Sequence, residues 1–434
     1  MPANILTIED GAFGMAQVQK ANPLGLKKSF GYGDRLGLAT PGHLKTALKF
    51  KDFAPIFAQQ SIREMERTAR TPTEVMKAAV DALNRNNFTG VWGADADHLK
   101  NEKDVQYTAA AGFCFFTIDP SAFVVNEADH MTEQQLEEGV KKLVADKIFD
   151  SADWEKMYLD KKIDVGSGVV LSFTRTDLRR AAIKYARAIA HSAEMSQFII
   201  KASAGKPYEI EVSVDETDSP TSSVEHLFFG MELKRRNVKV VSLAPRFIGE
   251  MEKGIDYKGD LKAFEAKLKE HVAIAKFCGP YKISVHSGSD KFSIYPIVGR
   301  VCGDLLHVKT AGTSYLEALR VVVRRDVPLF KEIASYCHGR FATDRKTYHI
   351  STTDDQVAQL ARNTSGNLEH LYLEEIPGRQ VLHVTFGSVL TQGKRANGQT
   401  FKDALLDTLN KNAGLYDEVL EIHFDKHLSG LKRG

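Results

Sequence analysis

The chain has 434 residues, 43% of them hydrophobic and 26% charged, which is the balance of an ordinary globular protein. Its 58 Lys and Arg against 56 Asp and Glu leave a net charge of only +2, and no basic run interleaved with aromatics appears, so a nucleic-acid partner is not expected. The opening MPANILTIEDG lacks the regions of a secretory signal, and no stretch approaches the ~18 apolar residues that cross a membrane. The cysteines, Cys114, Cys278, Cys302 and Cys337, are scattered without a CxxC pair. Reduced buried thiols, a cytoplasmic location and no cysteine-based zinc site follow as expectations.

Short apolar or alternating runs recur along the chain, many ending in a small or charged residue before a helical pattern. They are Gly31–Thr40, Pro55–Ser61, Gly90–Asp95, Gly112–Asp119, Tyr208–Asp215, Val238–Ala244, Lys282–His286 and Leu305–Thr310. Helix start signals lie between them: Thr71-Pro72-Thr73-Glu74 reads as a cap, and Ser314 leads into YLEALRVVVRR. Alternating strand–helix units imply a parallel sheet, and eight of them imply a closed (β/α)₈ TIM-type barrel. An open doubly wound sheet is the alternative that satisfies the same strand count. The expected organisation is an N-terminal segment (1–30), a barrel (31–325) and a mostly helical C-terminal region (326–434) packed on it. A helical pair inserted at about 130–160 precedes the helix of strand four, expected from about Thr176 to Phe198.

Alternation then sorts side chains, because successive residues of a strand face opposite sides of the sheet. In the fifth strand Ile210, Val212 and Val214 take the helix side, so Glu209, Glu211, Ser213 and Asp215 point into the barrel. In the eighth, Leu306, Val308 and Thr310 face the helices, leaving His307 and Lys309 inside. In the seventh, Ser284 and His286 face in. The third ends GADADH, so Asp95 and Asp97 share a face and His98 sits at the rim. Burying so many ionisable groups costs several kcal/mol apiece unless they are paired or bind an ion. Barrel enzymes keep their sites at these strand ends. The structural alternative is an internal salt-bridge network.

His98, His286 and His307 end three different strands. Neutral imidazoles with a carboxylate suit Zn²⁺, Mn²⁺, Co²⁺ or Ni²⁺ and leave a position open for substrate. His423 and His427 would share one helix face and offer either a ligand pair or a plain surface helix. GYGDRLGLATPGH places Asp34, Arg35 and His43 after strand one, where a tight turn with a structural Asp–Arg pair is the plain alternative. SVHSGSDKFS places Ser287, Gly288, Ser289 and Lys291 after strand seven, near the usual anion site of barrels. Neither GSG at 166–168 nor SAGK at 203–206 matches a phosphate loop or a dinucleotide fingerprint, so no nicotinamide is expected.

Six segments together carry a family resemblance: GDRLGLATPGH, WGADADHLK, EVSVDETDSPTS, VSLAPRFIGEMEKGIDYKGD, ISVHSGSDKFSIYP and LHVKTAGTSYLEALR. Over residues 33 to 320 they resemble the tagaturonate epimerase family. That resemblance implies interconversion of tagaturonate and fructuronate in hexuronate catabolism, one divalent metal, and a small sugar-acid substrate. A homo-oligomer is compatible with it. Chemistry then assigns His98, His286 and His307 to the metal, Asp97 as general base and Glu211 as opposing acid. Arg35, Lys309 and Lys291 are candidates for the substrate carboxylate, with Asp34, Asp119, Asp215, Glu216 and Ser287 as further contacts. The competing functions are a metal-dependent ketose isomerase or 3-epimerase, a promiscuous fructose/tagatose 4-epimerase, an aldolase that releases its fragments, and a non-catalytic sugar-acid binding protein.

Overall fold

The computed structural model describes residues 19–149, 151, 153–363 and 366–433. The expected runs form eight parallel strands: β1 (Ser29–Gly33), β2 (Ala54–Ser61), β3 (Gly93–Leu99), β4 (Phe115–Ile118), β5 (Glu209–Val214), β6 (Ser242–Pro245), β7 (Lys282–Val285) and β8 (Leu306–Thr310). Each pairs with the next in the chain and β8 closes on β1, so the sheet is a barrel and not an open doubly wound layer. Registers such as Thr117↔Glu211↔Ser242↔Lys282 line the inward positions up in rings.

The first strand is shorter than Gly31–Thr40 for a local reason. The Asp34 carboxylate accepts from the N–H groups of Leu36, Gly37 and Ala39, folding the chain into a turn straight after Gly33. The next helix then opens at Thr40, with proline in its first turn. Strand three runs on to Leu99 instead of stopping at Asp95, and strand six starts only at Ser242. Thr71 and Glu74 form the expected capping box of Pro72–Arg85. Ser314 is no cap: it lies inside the helix Thr313–Arg325, and its hydroxyl meets His43 Nε2 at 2.9 Å.

The expected helical pair at 130–160 is one helix, Glu133–Ala145, followed by a short turn at Trp154–Met157 and an antiparallel hairpin, Ile163–Gly166 with Val169–Leu171. Gly166, Ser167 and Gly168 all have positive φ, so GSG is the hairpin turn. The helix of strand four spans Arg175–Ser203, capped by Thr174. Among the described residues, seven α-helices fill the C-terminal region between Val327 and Lys432. The last, Ala413–Lys432, packs on Thr40–Lys49 and Tyr295–Cys302, while Phe386–Thr391 packs on Ile62–Thr68 beside the barrel mouth. Residues 1–18 of the expected N-terminal segment lie outside the described residues. Among those described, no helix is long and apolar enough to cross a membrane.

Candidate active site

The strand alternation delivers a charged ring to the C-terminal end of the barrel. Lys309, on β8, points inward and places Nζ 2.8 Å from each of Asp95 Oδ2, Asp97 Oδ1 and Glu211 Oε1, and 2.6 Å from Thr117 Oγ1. Burial works against its charge, but the three carboxylates outweigh burial and hold the ammonium well above its ordinary pKa. Asp95 goes the other way: burial raises it above the usual carboxylate range despite Lys309.

Above this ring stand two imidazoles. His286 Nε2 lies 2.7 Å from Glu211 Oε1, and its Nδ1 lies 3.4 Å from Asp215 Oδ1. Burial alone would lower His286, but Asp215 and Glu211 push it up to about 10. His98 reaches the same place by a break in alternation. The β3–β4 register slips between Ala96 and Leu99, and His98 adopts φ 55, so consecutive residues Asp97 and His98 both enter the mouth. A left-handed histidine costs on the order of 1 kcal/mol or more, the kind of local strain that collects at functional sites. Its Nε2 is 3.8 Å from Asp97 and its Nδ1 is 3.5 Å from Asp119, and the buried Nδ1 has no hydrogen-bond partner. Asp97 outweighs burial and lifts His98 to about 9.

Donor atoms of Asp97, His98 and His286 fall within 4.8 Å of one another, a grouping that a metal ion can occupy. His307 is not part of it. Its register partner on β7 is Ser284, one ring deeper than His286, and its Nδ1 contacts Ser29 Oγ at 2.9 Å while its ring packs on Phe115. Burial holds His307 well below the ordinary histidine pKa. The three-histidine set expected from strand ends is therefore corrected to one aspartate and two histidines.

The cavity over this cluster, about 70 Å³, is lined by Arg35, Arg63, Arg67, Asp97, His98, Asp215, Glu216, Lys253, His286, Ser287 and Lys309 among others. It adjoins a second of about 420 Å³ that shares Arg63, Asp215, Glu216, Lys253, His286 and Ser287. Four expected residues are placed elsewhere. Glu211 is fully buried beneath the floor, gripping His286 and Lys309, and does not face Asp97 across the mouth. Asp34 spends its carboxylate on the turn after β1. Lys291 is fully buried, and its Nζ donates to the carbonyls of Glu252, Ile255 and Ser289. Asp119 supports from the side, 3.5 Å from His98 and 3.3 Å from Lys100. Lys309 does line the cavity, but its ammonium is already surrounded by acids.

Sequence reasoning missed Gln59, Ser61, Arg63, Glu64 and Arg67, which line the mouth because β2 runs straight into a helix at its C-terminal end. That rule of barrels could have found them. It also missed Tyr348 and His383, which the C-terminal region brings over the mouth and which no barrel rule anticipates. Arg35 pairs with Glu64 at 2.7 Å, not with Asp34. The His423–His427 pair is buried and meets Asp290, away from the mouth.

Fold and geometry define a (β/α)₈ barrel with a charged, polar cavity at the C-terminal ends of its strands, the class of scaffold on which barrel enzymes are built. Over residues 15–431 the sequence matches the tagaturonate epimerase family, and the chain belongs to that family of isomerases. It is 44% identical over 408 residues to the tagaturonate/fructuronate epimerase of Thermotoga maritima, covering 94% of this chain and 81% of that one. A glycerol-complexed crystal structure of fructuronate-tagaturonate epimerase from Cohnella laeviribosi superposes with a TM-score of 0.88 at 37% identity, covering 95% of this chain and 83% of the other. The native form of the same enzyme superposes with a TM-score of 0.87.

Proposed function

We propose that the protein is a metal-dependent epimerase that interconverts D-tagaturonate and D-fructuronate by retro-aldol cleavage, rotation and re-addition. The observation that carries this reading is the Asp97–His98–His286 grouping at the barrel mouth of a chain that matches the family over residues 15–431. These three residues would hold one divalent cation, Zn²⁺, Mn²⁺, Co²⁺ or Ni²⁺, all of which suit imidazole and carboxylate donors. The unpartnered Nδ1 of His98 supports that fit. So does the surplus of carboxylates: Asp97, Glu211, Asp215 and Asp119 face Lys309 and the two imidazoles, whose protons a bound cation would replace.

The two sugar acids carry a ketone at C5 and differ at C3, which is β to that carbonyl. The ketone does not acidify the C3 proton, so enolisation alone leaves C3 unchanged. Cleavage of C3–C4 turns C3 into an aldehyde carbon with two faces, and re-addition to the other face inverts it. The cation, when bound, supplies Lewis-acid polarisation of the C5 carbonyl and charge balance for the enediolate. Asp97 accepts the proton of the C3 hydroxyl on cleavage and returns it after re-addition. Lys309, 2.8 Å from Asp97 Oδ1, keeps that carboxylate ionised until cleavage, ready to accept the proton. Glu211 holds His286 and Lys309 in place from below, and Asp215 fixes the other edge of His286. Four buried, unpaired thiols suit the reducing cytoplasm, where hexuronate breakdown would run.

The test is an assay of tagaturonate and fructuronate in D₂O, before and after chelation and with each metal restored. Epimerisation that needs metal and leaves no deuterium at C3 is expected. Deuterium at C3 would indicate direct proton transfer instead, and full activity after chelation would remove the metal.

A further inference from the structure

Besides His98 Nδ1, two buried nitrogens in the wall of the mouth cavity lack any hydrogen-bond partner among the described residues: Arg35 Nη1 and His383 Nδ1. Both residues are only 3% exposed. Arg35 is clamped from its other side, where Nε and Nη2 lie 2.9 and 2.7 Å from Glu64 Oε1 and the guanidinium rests 3.5 Å from the centroid of the Phe386 ring. Its position is therefore fixed, with both N–H groups of Nη1 unspent. His383 comes from the helix Ile376–Val384 of the C-terminal region.

The two nitrogens converge on bare backbone. A Cβ built on Gly312 would lie 2.7 Å from His383 Nδ1 and 3.0 Å from Arg35 Nη1, and one on Gly254 would lie 3.5 Å from His383 Nδ1. Lys253, next to Gly254, lines the same wall with its Nζ on the Ser287 hydroxyl. Burial, with the fields of Arg35 and Lys253, holds the His383 imidazole well below its ordinary pKa, so it is neutral and offers one N–H. A buried guanidinium donor with no acceptor loses its hydration without compensation, and an anion of suitable size would restore it.

We infer that Arg35, Lys253 and His383 form an anion subsite that takes the carboxylate of the substrate, so the C-terminal helical region completes the active site. The inference rests on the sugar-acid reading above and gives the carboxylate its place, beside the Asp97–His98–His286 group and separate from Lys309. It also has a mechanistic consequence. The carboxylate is C1 and the inverted centre is C3, so anchoring C1 retains the aldehyde fragment while the C2–C3 bond turns.

The test uses the full-length, metal-loaded protein and two probes of matched carbon skeleton, D-galactonate and the uncharged galactitol, measured by calorimetry. Wild type should bind galactonate at least about tenfold more tightly than galactitol, since a charged hydrogen bond strengthens only the former. His383→Leu and Lys253→Met should each abolish most of that preference and raise the tagaturonate KM about tenfold, while His383→Gln, which keeps a donor, should restore part of it. Equal affinity for the two probes in wild type, or a preference unchanged in both His383→Leu and Lys253→Met, would overturn the subsite. A His383-dependent galactonate preference in a wild type that turns over neither uronate would leave the subsite standing and refute the epimerase reading.

Discussion

The described residues contain two clusters of one aspartate and two histidines, and the histidines are held differently in each. In the mouth, His98 makes no close hydrogen bond: its nitrogens stand 3.5 Å from Asp119 and 3.8 Å from Asp97. Behind β7, Asp290, His423 and His427 also come within 4.8 Å of one another, but their lone pairs and protons are spoken for. His427 Nε2 accepts from the Asp290 N–H at 3.0 Å and its Nδ1 donates to the His423 carbonyl at 2.9 Å. His423 meets Thr313 at 2.5 Å and Asp290 at 3.1 Å, while Arg379 lies 2.8 Å from Asp290. A metal can enter the first cluster without displacing a hydrogen bond of His98. Entry into the second would break the tie between the last helix and the loop after β7. Residue type does not distinguish the two clusters; His98 does, since His286 and Asp97 are held by Glu211, Asp215 and Lys309 as firmly as the second cluster is held by its neighbours.

The contrast can be broken most directly at His286. His286→Ala should lower kcat on the order of 10³-fold, about 4 kcal/mol, and strip the metal. Retention of full metal content and rate by that variant would dissolve the mouth cluster. Next comes Lys291, expected from sequence at the anion site and found in a cage of carbonyls. Lys291→Met should cost about 3 kcal/mol in urea unfolding by leaving those carbonyls unmet, without altering the tagaturonate KM. A KM change without a stability loss would return Lys291 to the substrate. At the second cluster, His427→Leu orphans the Asp290 N–H and should cost about 2 kcal/mol of stability with metal content unchanged. Metal loss in that variant would make the two clusters alike.

The smallest effect is in pH. Burial lowers His43 to about 4, His271 to about 4 and His427 to about 3, from 6.5. Below pH 6.5 the unfolded chain takes up protons that the folded chain refuses. Stability contributed by these groups is therefore full above 6.5 and falls as pH drops towards 4, by about 1.4 kcal/mol per pH unit for each histidine. His43→Gln should make the slope of unfolding free energy between pH 6 and pH 4.5 shallower by about that amount. An identical slope in wild type and variant would place the titration elsewhere.

The barrel was legible because its signals are local. All eight strands lie within or beside the expected runs, and the inward parity of Glu211, His286, His307 and Lys309 follows from the period of two. Errors arose where side chains overrode that period. The Asp34 carboxylate cut β1 short, while the slip between Ala96 and Leu99 brought His98 to the mouth beside Asp97, where the sequence had already placed it. Parity also says nothing of depth, so His307 was grouped with His286 although it lies one ring below.

The sequence by itself determined an eightfold strand–helix barrel, which residues face its interior, and membership of an epimerase family, because alternation, caps and long motifs are properties of neighbouring residues. Only the tertiary structure decided which inward groups meet. It set Lys309 among three acids, left His98 Nδ1 without a hydrogen bond while enclosing His427, and carried His383 from the C-terminal helices to Arg35. Those outcomes depend on how strands separated by tens to hundreds of residues register against one another, and on which hydrogen bonds that closure satisfies first. Local pattern contains neither.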